Sequence, residues 1–578
     1  MIVYGDAVRH EEPHALLGAL QEGLRQLSGL PPGLARHTAL VARFIEAGEL
    51  AQGLADAAFR ARGEDAASAQ GDAGTALLTR LAAALRASWS SGFQDLPPLP
   101  EAFLPGPLPE VIAPKRMEGF SFYALYPEGY LQAAEKAGLG EATVVIGLRS
   151  IGLPLAALVA AALGAAPPVS LRPVGHPFER RLALSGEIKA ALLRGQGPRA
   201  IVDEGPGLSG SSMGAVADLL EGGGIAPSRL HFFPSHGGAP GPQASARHRA
   251  RWSAAARHLC DFERLVLHAS RPAHRLEHWA ADLTGPPEAP LRELSGGAWR
   301  ALRYAAEGAW PPANPQQERR KFLLQAGGRP WLLKFTGLGP EGEGKARMGR
   351  MLSEAGLVPS LAGYRHGFLV AGWEAAARGL DQAPRPPAAL LAPVARYLAF
   401  RRRHFAKGSG GASLAALWDM ACHNTAEALG EPAARALRRL QPDLPRLEAR
   451  LRPIAGDNRL HPWEWLALPD GRLLKADALD HHAAHDLIGC QDLAWDLVGA
   501  EVELGLAPTA LAAAVARESG HATDPALPDA YRPCYLAFQL GAAGMAAAAC
   551  QGMPEEAARL RAATRRYTVL LRRLIEAG

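Results

Sequence analysis

The spacing of apolar positions changes along the chain and divides it into regions. In residues 16–27 and 40–50 the apolar side chains recur at helical spacing, which predicts long amphipathic helices up to about residue 100. Beyond residue 110 helix-period stretches at 153–163 and 212–220 alternate with four short apolar runs, at 144–146, 169–171, 200–202 and 230–233. This alternation predicts a parallel α/β sheet that binds ligands at the carboxyl ends of its strands.

A different pattern begins near residue 315. Two apolar runs joined by Gly327 and Gly328 predict a hairpin with Lys334 on its second strand, and a helix-period segment carrying Glu354 follows. The rest is mainly helical, and Arg401, Arg402 and Arg403 are expected on a solvated or interdomain face. The predicted fold class is therefore an α/β multidomain chain, with a parallel sheet flanked by helices and then an α+β region with a largely helical end. The expected units are residues 1–105, 106–250, 251–315 and 316–578, the third being a helical connector.

Composition limits the class of protein more than its chemistry. The 578 residues are 48% hydrophobic and 21% charged, which is typical of a globular chain. The formal net charge of +5 does not favour nucleic-acid binding, although the Arg-rich helices keep that alternative open. Five scattered cysteines without CxxC spacing and no apolar run of membrane-spanning length lead us to expect a cytoplasmic protein without a membrane partner. Homo-oligomer formation is left open.

Residues 198–213 hold the plainest chemical pattern. An apolar run ends in the adjacent acids Asp203 and Glu204, and a Gly/Ser loop then leads into a helix. Such a loop before a helix can bind a phosphate on its backbone amides, and a simple turn is the alternative. The candidate phosphate-binding residues are Gly205, Gly207, Leu208, Ser209, Gly210, Ser211 and Ser212.

This stretch resembles the phosphoribosyl diphosphate (PRPP) signature of type I phosphoribosyltransferases of the orotate phosphoribosyltransferase kind. The resemblance implies that Asp203 and Glu204 accept hydrogen bonds from ribose hydroxyls and that the loop binds the 5′-phosphate. Residues 146–152, with Arg149 and Ser150, are similar to the family's diphosphate loop. Residues 172–181, with Arg180, occupy the place of its mobile catalytic loop or form a basic surface loop. Serines in place of threonines and one additional loop residue are departures from the family pattern.

A second resemblance lies in the last unit. Lys334 on a strand and Glu354 on the next helix are similar to the ion pair of kinase-like amino lobes, which implies an N-lobe at 316–380 and a helical C-lobe at 381–578. Residues 457–466 and the acid that follows them resemble the catalytic segment of aminoglycoside phosphotransferase-like kinases. The match implies Asp457 as the catalytic acid and Glu464 and Asp477 as magnesium ligands. The expected position of the catalytic aspartate, two residues before His461, is held by Arg459.

Together the two resemblances imply a bifunctional enzyme. One site would use PRPP and Mg²⁺ to transfer or remove a phosphoribosyl group at a heterocyclic acceptor, and the other would use ATP and Mg²⁺ on a small metabolite. The alternative is a non-catalytic nucleotide- or PRPP-responsive regulator with degenerate sites. Aromatic side chains in residues 118–128 either stack on the acceptor or belong to the core. His481 and His485 share a helical face, and a position at the surface or between lobes is favoured over a metal site.

Overall fold

The computed structural model describes residues 1–5, 9–407, 410–550 and 552–577. Its first part is helical, as the spacing of apolar residues predicts. The helices are α1 (Pro13–Leu27), α2 (Leu34–Arg62), α3 (Ala69–Ser90), α4 (Glu118–Phe122) and α5 (Pro127–Glu135). Local signals set the boundaries, because Gly63 ends α2 in the left-handed conformation and the Ser68 hydroxyl caps α3.

A parallel sheet with helices between its strands follows. Its elements are β1 (Val144–Leu148), α6 (Gly152–Leu163), β2 (Val169–Leu171), β3 (Pro173–Val174), β4 (Arg181–Leu182), α7 (Gly186–Leu193), β5 (Arg199–Val202), α8 (Ser211–Gly222), β6 (Leu230–Phe233), α9 (Ala246–Ala254) and β7 (Ala256–Arg257). The strand order is β2-β1-β5-β6-β7, while β3 and β4 form a separate hairpin. The predicted strands are confirmed, because continuous apolar runs suit central strands buried on both faces.

Next come short helices and an antiparallel sheet. Their elements are α10 (Leu276–Trp279), α11 (Ala281–Thr284), β8 (Arg292–Glu293), α12 (Arg300–Arg303), β9 (Lys321–Ala326), β10 (Arg329–Phe335), α13 (Gly339–Glu354), β11 (Leu361–Arg365) and β12 (Phe368–Gly372). The order is β11-β12-β10-β9-β8, so β10 is the central strand. Lys334 therefore sits on a strand paired on both sides, opposite Lys321 and Leu369.

The remaining part is mainly helical, with small strands that frame loops. Its elements are β13 (Arg378–Gly379), α14 (Pro387–His404), α15 (Leu414–Leu429), α16 (Glu431–Arg439), α17 (Leu444–Glu448), β14 (Pro453–Ile454), β15 (Trp465–Ala467), β16 (Leu473–Lys475), β17 (Gln491–Asp492), α18 (Ala494–Leu504), α19 (Pro508–Ser519), α20 (Leu527–Ala549) and α21 (Pro554–Ala577). In the described part of the chain, no helix combines the length and the apolar character that crossing a bilayer requires.

One hydrophobic core joins the N-terminal helices to both sheets. It contains Phe44 of α2, Leu158 of α6, Val202 of β5 and Phe335 of β10. The antiparallel sheet therefore packs on the first half of the molecule instead of standing apart.

Arg401 departs from the solvated or interdomain face expected for it. It is fully buried and donates hydrogen bonds to the carbonyl oxygens of Ala455, Gly456 and Ala478, at distances of 2.6 to 3.0 Å. A guanidinium carries five donors, so one arginine side chain can satisfy several buried carbonyls.

Candidate functional site

A cleft of about 600 Å³ lies between β10 and the helical region. The Nζ atom of Lys334 faces this cleft, lies 2.7 Å from Oδ1 of Asp477 and also contacts Asp480. Burial opposes the charge of Lys334, but the two carboxylates outweigh burial and raise the pKa of the lysine. The cleft therefore holds a protonated lysine between two acids.

A second lysine lies behind the acids of the cleft. Lys475 is fully buried, and its Nζ lies 2.9 Å from Oε2 of Glu464 and 3.2 Å from Oδ1 of Asp457. Glu464 and Asp477 both line the cleft, and burial raises the pKa of Glu464. Lys475 thus offsets part of the repulsion between carboxylates that share one small space.

Asp457 does not occupy the position expected for a catalytic acid. Its side chain is fully buried, and it accepts hydrogen bonds from the Tyr397 hydroxyl and the backbone N–H of Arg459. Asp496 holds the same loop, because its carboxylate accepts hydrogen bonds from the backbone N–H groups of Asp457 and Asn458 at 2.8 and 2.7 Å. We therefore correct the assignment of Asp457 as the catalytic acid. Its buried carboxylate stabilises the conformation of the loop.

The residues of this loop that do reach the cleft are Arg459 and His461. A nitrogen of Arg459 lies 3.3 Å from Oδ2 of Asp486. Nδ1 of His461 lies 3.5 Å from Oε2 of Glu503, a buried carboxylate that also accepts hydrogen bonds from the Tyr567 and Tyr535 hydroxyls. Sequence patterns did not point to Glu503, because it lies 42 residues from His461 on α18 (503 − 461).

Glu354 is not the partner of Lys334. It lies exposed at the end of α13, and among the described residues the ion pairs of Lys334 go to Asp477 and Asp480. Lys345 of the same helix points inward and lies 3.0 Å from Oδ1 of Asp480. Helical spacing could have found it, because Lys345 and Leu352 are seven residues apart and share the buried face of α13.

Asp203 and Glu204 follow β5 at the carboxyl edge of the parallel sheet, as predicted from the apolar run before them. Burial raises the pKa of Asp203 to about 7, and burial together with the charge of Asp203 raises the pKa of Glu204 to about 8. The loop before α6 comes very close, since a Cβ atom on Gly152 would lie 2.7 Å from the carbonyl oxygen of Val202. The segments singled out at 146–152 and 203–204 are thus neighbours in space.

The loop between Glu204 and α8 is covered by another segment. The hydroxyls of Ser209 and Ser211 donate hydrogen bonds to the carbonyl oxygen of Pro177, at 3.2 and 2.8 Å. Gly207 and Gly210 have φ angles of 58° and 64°, which favour glycine. Gly205 and Ser212 are half-buried, whereas Leu208 is exposed. The 172–181 segment therefore lies over the candidate phosphate loop.

The arginines assigned to the diphosphate are held elsewhere. Arg149 is buried, its Nε lies 2.8 Å from Oδ1 of Asp56, and it also contacts Asp65 and Ser170. This network directs its guanidinium to carboxylates of the N-terminal helical region, which corrects its predicted role. Arg180 donates to the carbonyl oxygen of Gly175 in its own loop, and Ser150 is half-buried before α6.

A second cavity of about 510 Å³ is lined by Glu204 and by part of the aromatic stretch. Tyr123 lines both this cavity and the cleft. Two arginines adjacent in sequence line different spaces: Arg319 lines the cleft and Arg320 lines the second cavity. Phe120 and Tyr126 are both buried. Phe120 belongs to the core, whereas Tyr126 lines the second cavity from the core side.

The two histidines predicted to lie at the surface or between lobes both line the cleft. His481 lines the cleft with its Nε2 3.9 Å from Oδ1 of Asp477, and Nδ1 of His485 lies 3.2 Å from Oε1 of Glu118. His485 therefore connects the cleft to α4 of the first half of the chain.

The raised pKa values of Asp203 and Glu204 predict a stability that falls as the pH rises. Between about pH 4 and pH 8 the folded chain keeps protons that the unfolded chain releases, so each group lowers the free energy of unfolding by up to about 1.4 kcal/mol per pH unit. We expect the free energy of unfolding of the Asp203→Asn, Glu204→Gln variant, relative to that of the native chain, to be larger at pH 8 than at pH 6. Chemical denaturation at both pH values measures this difference, and an equal difference at the two pH values would contradict the prediction.

Comparison with known proteins gives similarities at the level of solved structures. No protein-family model matches the sequence, and no curated protein matches it. The choline kinase LicA from Streptococcus pneumoniae is 14% identical, with a TM-score of 0.30 over 43% of this chain and 89% of that chain. A choline/ethanolamine kinase family protein from Mesorhizobium loti is 16% identical, with a TM-score of 0.30 over 54% and 96%. The macrolide 2′-phosphotransferase type I is 16% identical, with a TM-score of 0.32 over 50% and 94%.

Proposed function

We propose that the cleft is the active site of an ATP-dependent phosphotransferase that acts on a small molecule. The observation that carries this proposal is the placement of Lys334 on a central strand, directly against Asp477, with Glu464 in the same cleft. A cation for phosphate oxygens and acids for a metal ion are the groups that phosphoryl transfer requires.

The nucleotide has a natural orientation in this cleft. Leu332 of β10 and Leu466 of β15 both line it and offer apolar surface to a purine ring. Lys334 lies two residues after Leu332, on the same face of β10, and would contact the phosphates. The carboxylate oxygens of Asp477 and Glu464 suit Mg²⁺, which would neutralise charge on the transferring phosphoryl group when bound.

His461 is the proton acceptor that this arrangement favours, because Asp457 is enclosed. The carboxylate of Glu503, 3.5 Å from Nδ1, would stabilise the imidazole once it is protonated, and Nε2 would take the proton of the acceptor hydroxyl. As the acceptor oxygen bonds to the γ-phosphorus, the bond to the β,γ-bridging oxygen breaks and ADP leaves. The hydroxyl proton passes to Nε2 of His461.

The acceptor side of the cleft has a distinct surface. Small apolar side chains of α20 and α21 form this wall together with one tyrosine: Ala542, Ala543, Ala546, Leu560, Ala563 and Tyr567. A hydroxyl-bearing small molecule with an apolar face fits it better than a polycation does.

The test of this proposal is nucleotide binding by the full chain. With Mg²⁺, a non-hydrolysable ATP analogue should raise the melting temperature, since a ligand that binds the folded state stabilises it by mass action. ATP with a panel of small hydroxyl compounds should yield ADP and a phosphorylated product. Absence of a melting shift at millimolar Mg²⁺ and analogue would overturn the proposal.

Replacing His461 with glutamine should lower kcat by about 10²-fold with little change in the KM for ATP. Glutamine keeps a polar side chain but cannot take up the proton of the acceptor hydroxyl. Initial rates at a series of ATP concentrations measure both effects. His423→Gln is the matched control, because His423 is exposed and pairs with Glu427 away from the cleft. An unchanged kcat in the His461 variant would rule out this role.

We infer a second activity at the parallel sheet, the binding of PRPP for phosphoribosyl transfer. The supporting observation is that Glu204 lines a cavity of about 510 Å³, and that a glycine-rich loop leads from Asp203 and Glu204 into α8. The acids would accept hydrogen bonds from ribose hydroxyls, and backbone amides of residues 205–212 would bind the 5′-phosphate. The Pro177 carbonyl, which now accepts from Ser209 and Ser211, has to move aside for that phosphate.

At about pH 9, where both acids are ionised, PRPP with Mg²⁺ should raise the melting temperature of the native chain, and the Asp203→Asn, Glu204→Gln variant should bind it at least about tenfold more weakly. Each lost charge-assisted hydrogen bond costs about 1.5 kcal/mol or more. The Asp477→Asn variant should keep the PRPP shift, which separates the two sites. Equal binding by the double variant would contradict the assignment. Binding of PRPP that releases no diphosphate from it with any heterocycle as acceptor would favour the regulator alternative.

A further inference from the structure

A buried group of two histidines and one glutamate lies outside both candidate sites. His37 comes from α2, Glu128 from α5 and His366 from the turn between β11 and β12, and all three side chains are fully buried. One ligand atom from each lies within 4.8 Å of the others. We call these residues the His–Glu–His cluster.

The position of His366 is unusual for a hairpin turn. Its φ angle is 42°, in the left-handed region, and the turn inserts into the first half of the chain instead of facing water. The Tyr126 hydroxyl donates a hydrogen bond of 2.8 Å to the carbonyl oxygen of His366, which fixes the turn. The chain therefore brings a polar ring from one sheet into the core of another part of the molecule.

Both imidazoles point the same nitrogen at the glutamate. Nε2 of His37 lies 2.7 Å and Nε2 of His366 lies 3.4 Å from Oε1 of Glu128. Each Nδ1 faces a hydroxyl, with Ser88 Oγ at 2.9 Å from His37 and Thr38 Oγ1 at 3.2 Å from His366. Outer hydroxyls of this kind orient the rings of metal-binding histidines.

The hydrogen bond of Thr38 decides which nitrogen of His366 carries a proton. The Thr38 hydroxyl donates to the carbonyl oxygen of Leu34 at 2.9 Å, so it can only accept from Nδ1 of His366. In a neutral ring Nε2 then presents a lone pair to a carboxylate. Among the described residues, neither Nε2 of His366 nor Oε2 of Glu128 has a hydrogen-bond partner.

Two lone pairs that face one another in a buried space need a positive charge between them, which either a proton or a metal ion can supply. Aromatic rings of Trp89, Phe93, Tyr126 and Trp279 surround the two histidines, and such a wall favours a closed site. Two imidazoles and a carboxylate that can bind through both oxygens supply four donor atoms, which suits a tetrahedral divalent metal of the zinc class.

We propose that the His–Glu–His cluster binds one Zn²⁺-class ion that joins α2 and α5 to the β11–β12 hairpin. The ion would clamp the antiparallel sheet to the first half of the chain. Because the cluster is closed by protein side chains, its role is structural, and it does not depend on either activity proposed above.

The test uses the untagged full chain, since a polyhistidine tag would bind metal itself. Elemental analysis should find one zinc per chain after dialysis without chelator. Removing the metal with dipicolinate should lower the melting temperature, and stoichiometric Zn²⁺ should restore it. The proposal would be overturned if the chain contained no zinc and its melting temperature changed with neither chelator nor Zn²⁺. That result would favour a protonated, hydrogen-bonded cluster.

A matched pair of variants assigns the site. His366→Asn removes one ligand with a residue that tolerates a positive φ, and it should abolish stoichiometric zinc. His274→Asn is the control, because His274 is also buried but bonds the carbonyl oxygen of Trp89 and lies outside the cluster. Zinc retained in the His366 variant would overturn the assignment.

A measurement on the native chain covers the case in which the His366 variant does not fold. X-ray absorption of the zinc-loaded protein should show only nitrogen and oxygen neighbours with imidazole scattering. Sulfur neighbours would place the metal on cysteines and contradict the proposal.

Discussion

Replacing Asp477 with asparagine is expected to lower ATP-dependent phosphoryl transfer by about 10³-fold. The change removes a negative charge that faces Lys334 at 2.7 Å and a carboxylate that suits Mg²⁺. Asparagine keeps the shape, so the loss should appear in kcat and in the Mg²⁺-dependent melting shift with an ATP analogue. Product formation and the shift are measured on the same preparation.

Asp470→Asn is the matched control for that variant. Asp470 is an exposed aspartate on the turn between β15 and β16, and it pairs with Arg472 at 2.7 Å without lining the cleft. It should behave like the native chain in both measurements. If Asp477→Asn kept the full Mg²⁺-dependent shift, Asp477 would not be the metal-binding acid.

The second large effect is on stability. Replacing Lys475 with methionine should lower the free energy of unfolding by about 3–5 kcal/mol, because it leaves buried carboxylates without their cation. Lys475 is fully buried and lies within 3.2 Å of both Asp457 and Glu464. Denaturant unfolding followed by fluorescence measures the loss.

Compensating substitutions distinguish charge from packing. Adding Asp457→Asn and Glu464→Gln to Lys475→Met removes the unpaired charges and should recover part of the lost stability. Packing alone predicts no recovery, because methionine fills the same volume in both variants. If Lys475→Met alone lowers the free energy of unfolding by less than about 1 kcal/mol, then water or protonation already stabilises the carboxylates of Asp457 and Glu464.

Part of the architecture could be predicted because it depends on sequence patterns within single strands and hairpins. The strands of the parallel sheet were found from continuous apolar runs, which arise only where both faces are covered. The 146–152 loop lies beside Asp203 because the carboxyl ends of neighbouring parallel strands meet at one edge of the sheet. The placement of Lys334 on the second strand of a hairpin was equally local.

Other assignments failed where a side chain's partner lies far away in sequence. Arg149 was assigned to a diphosphate, but Asp56 and Asp65, from about 90 residues earlier, hold it. Asp457 is the acid nearest the expected catalytic position in the sequence, two residues before it, yet Tyr397 and Lys475 enclose it. Glu354 lies on the expected helix, α13, but its side chain is exposed and is not paired with Lys334.

The sequence by itself determined the strands of the parallel sheet and the hairpin with its lysine, because each depends on residues within a few positions of one another. Tertiary structure alone decided which charges face a cavity, that Tyr123 lines both cavities, and that His37, Glu128 and His366 meet. The physical reason is that burying a charge or a polar ring is unfavourable without a partner. Distant segments must therefore supply that partner, and no local pattern records which segment does so.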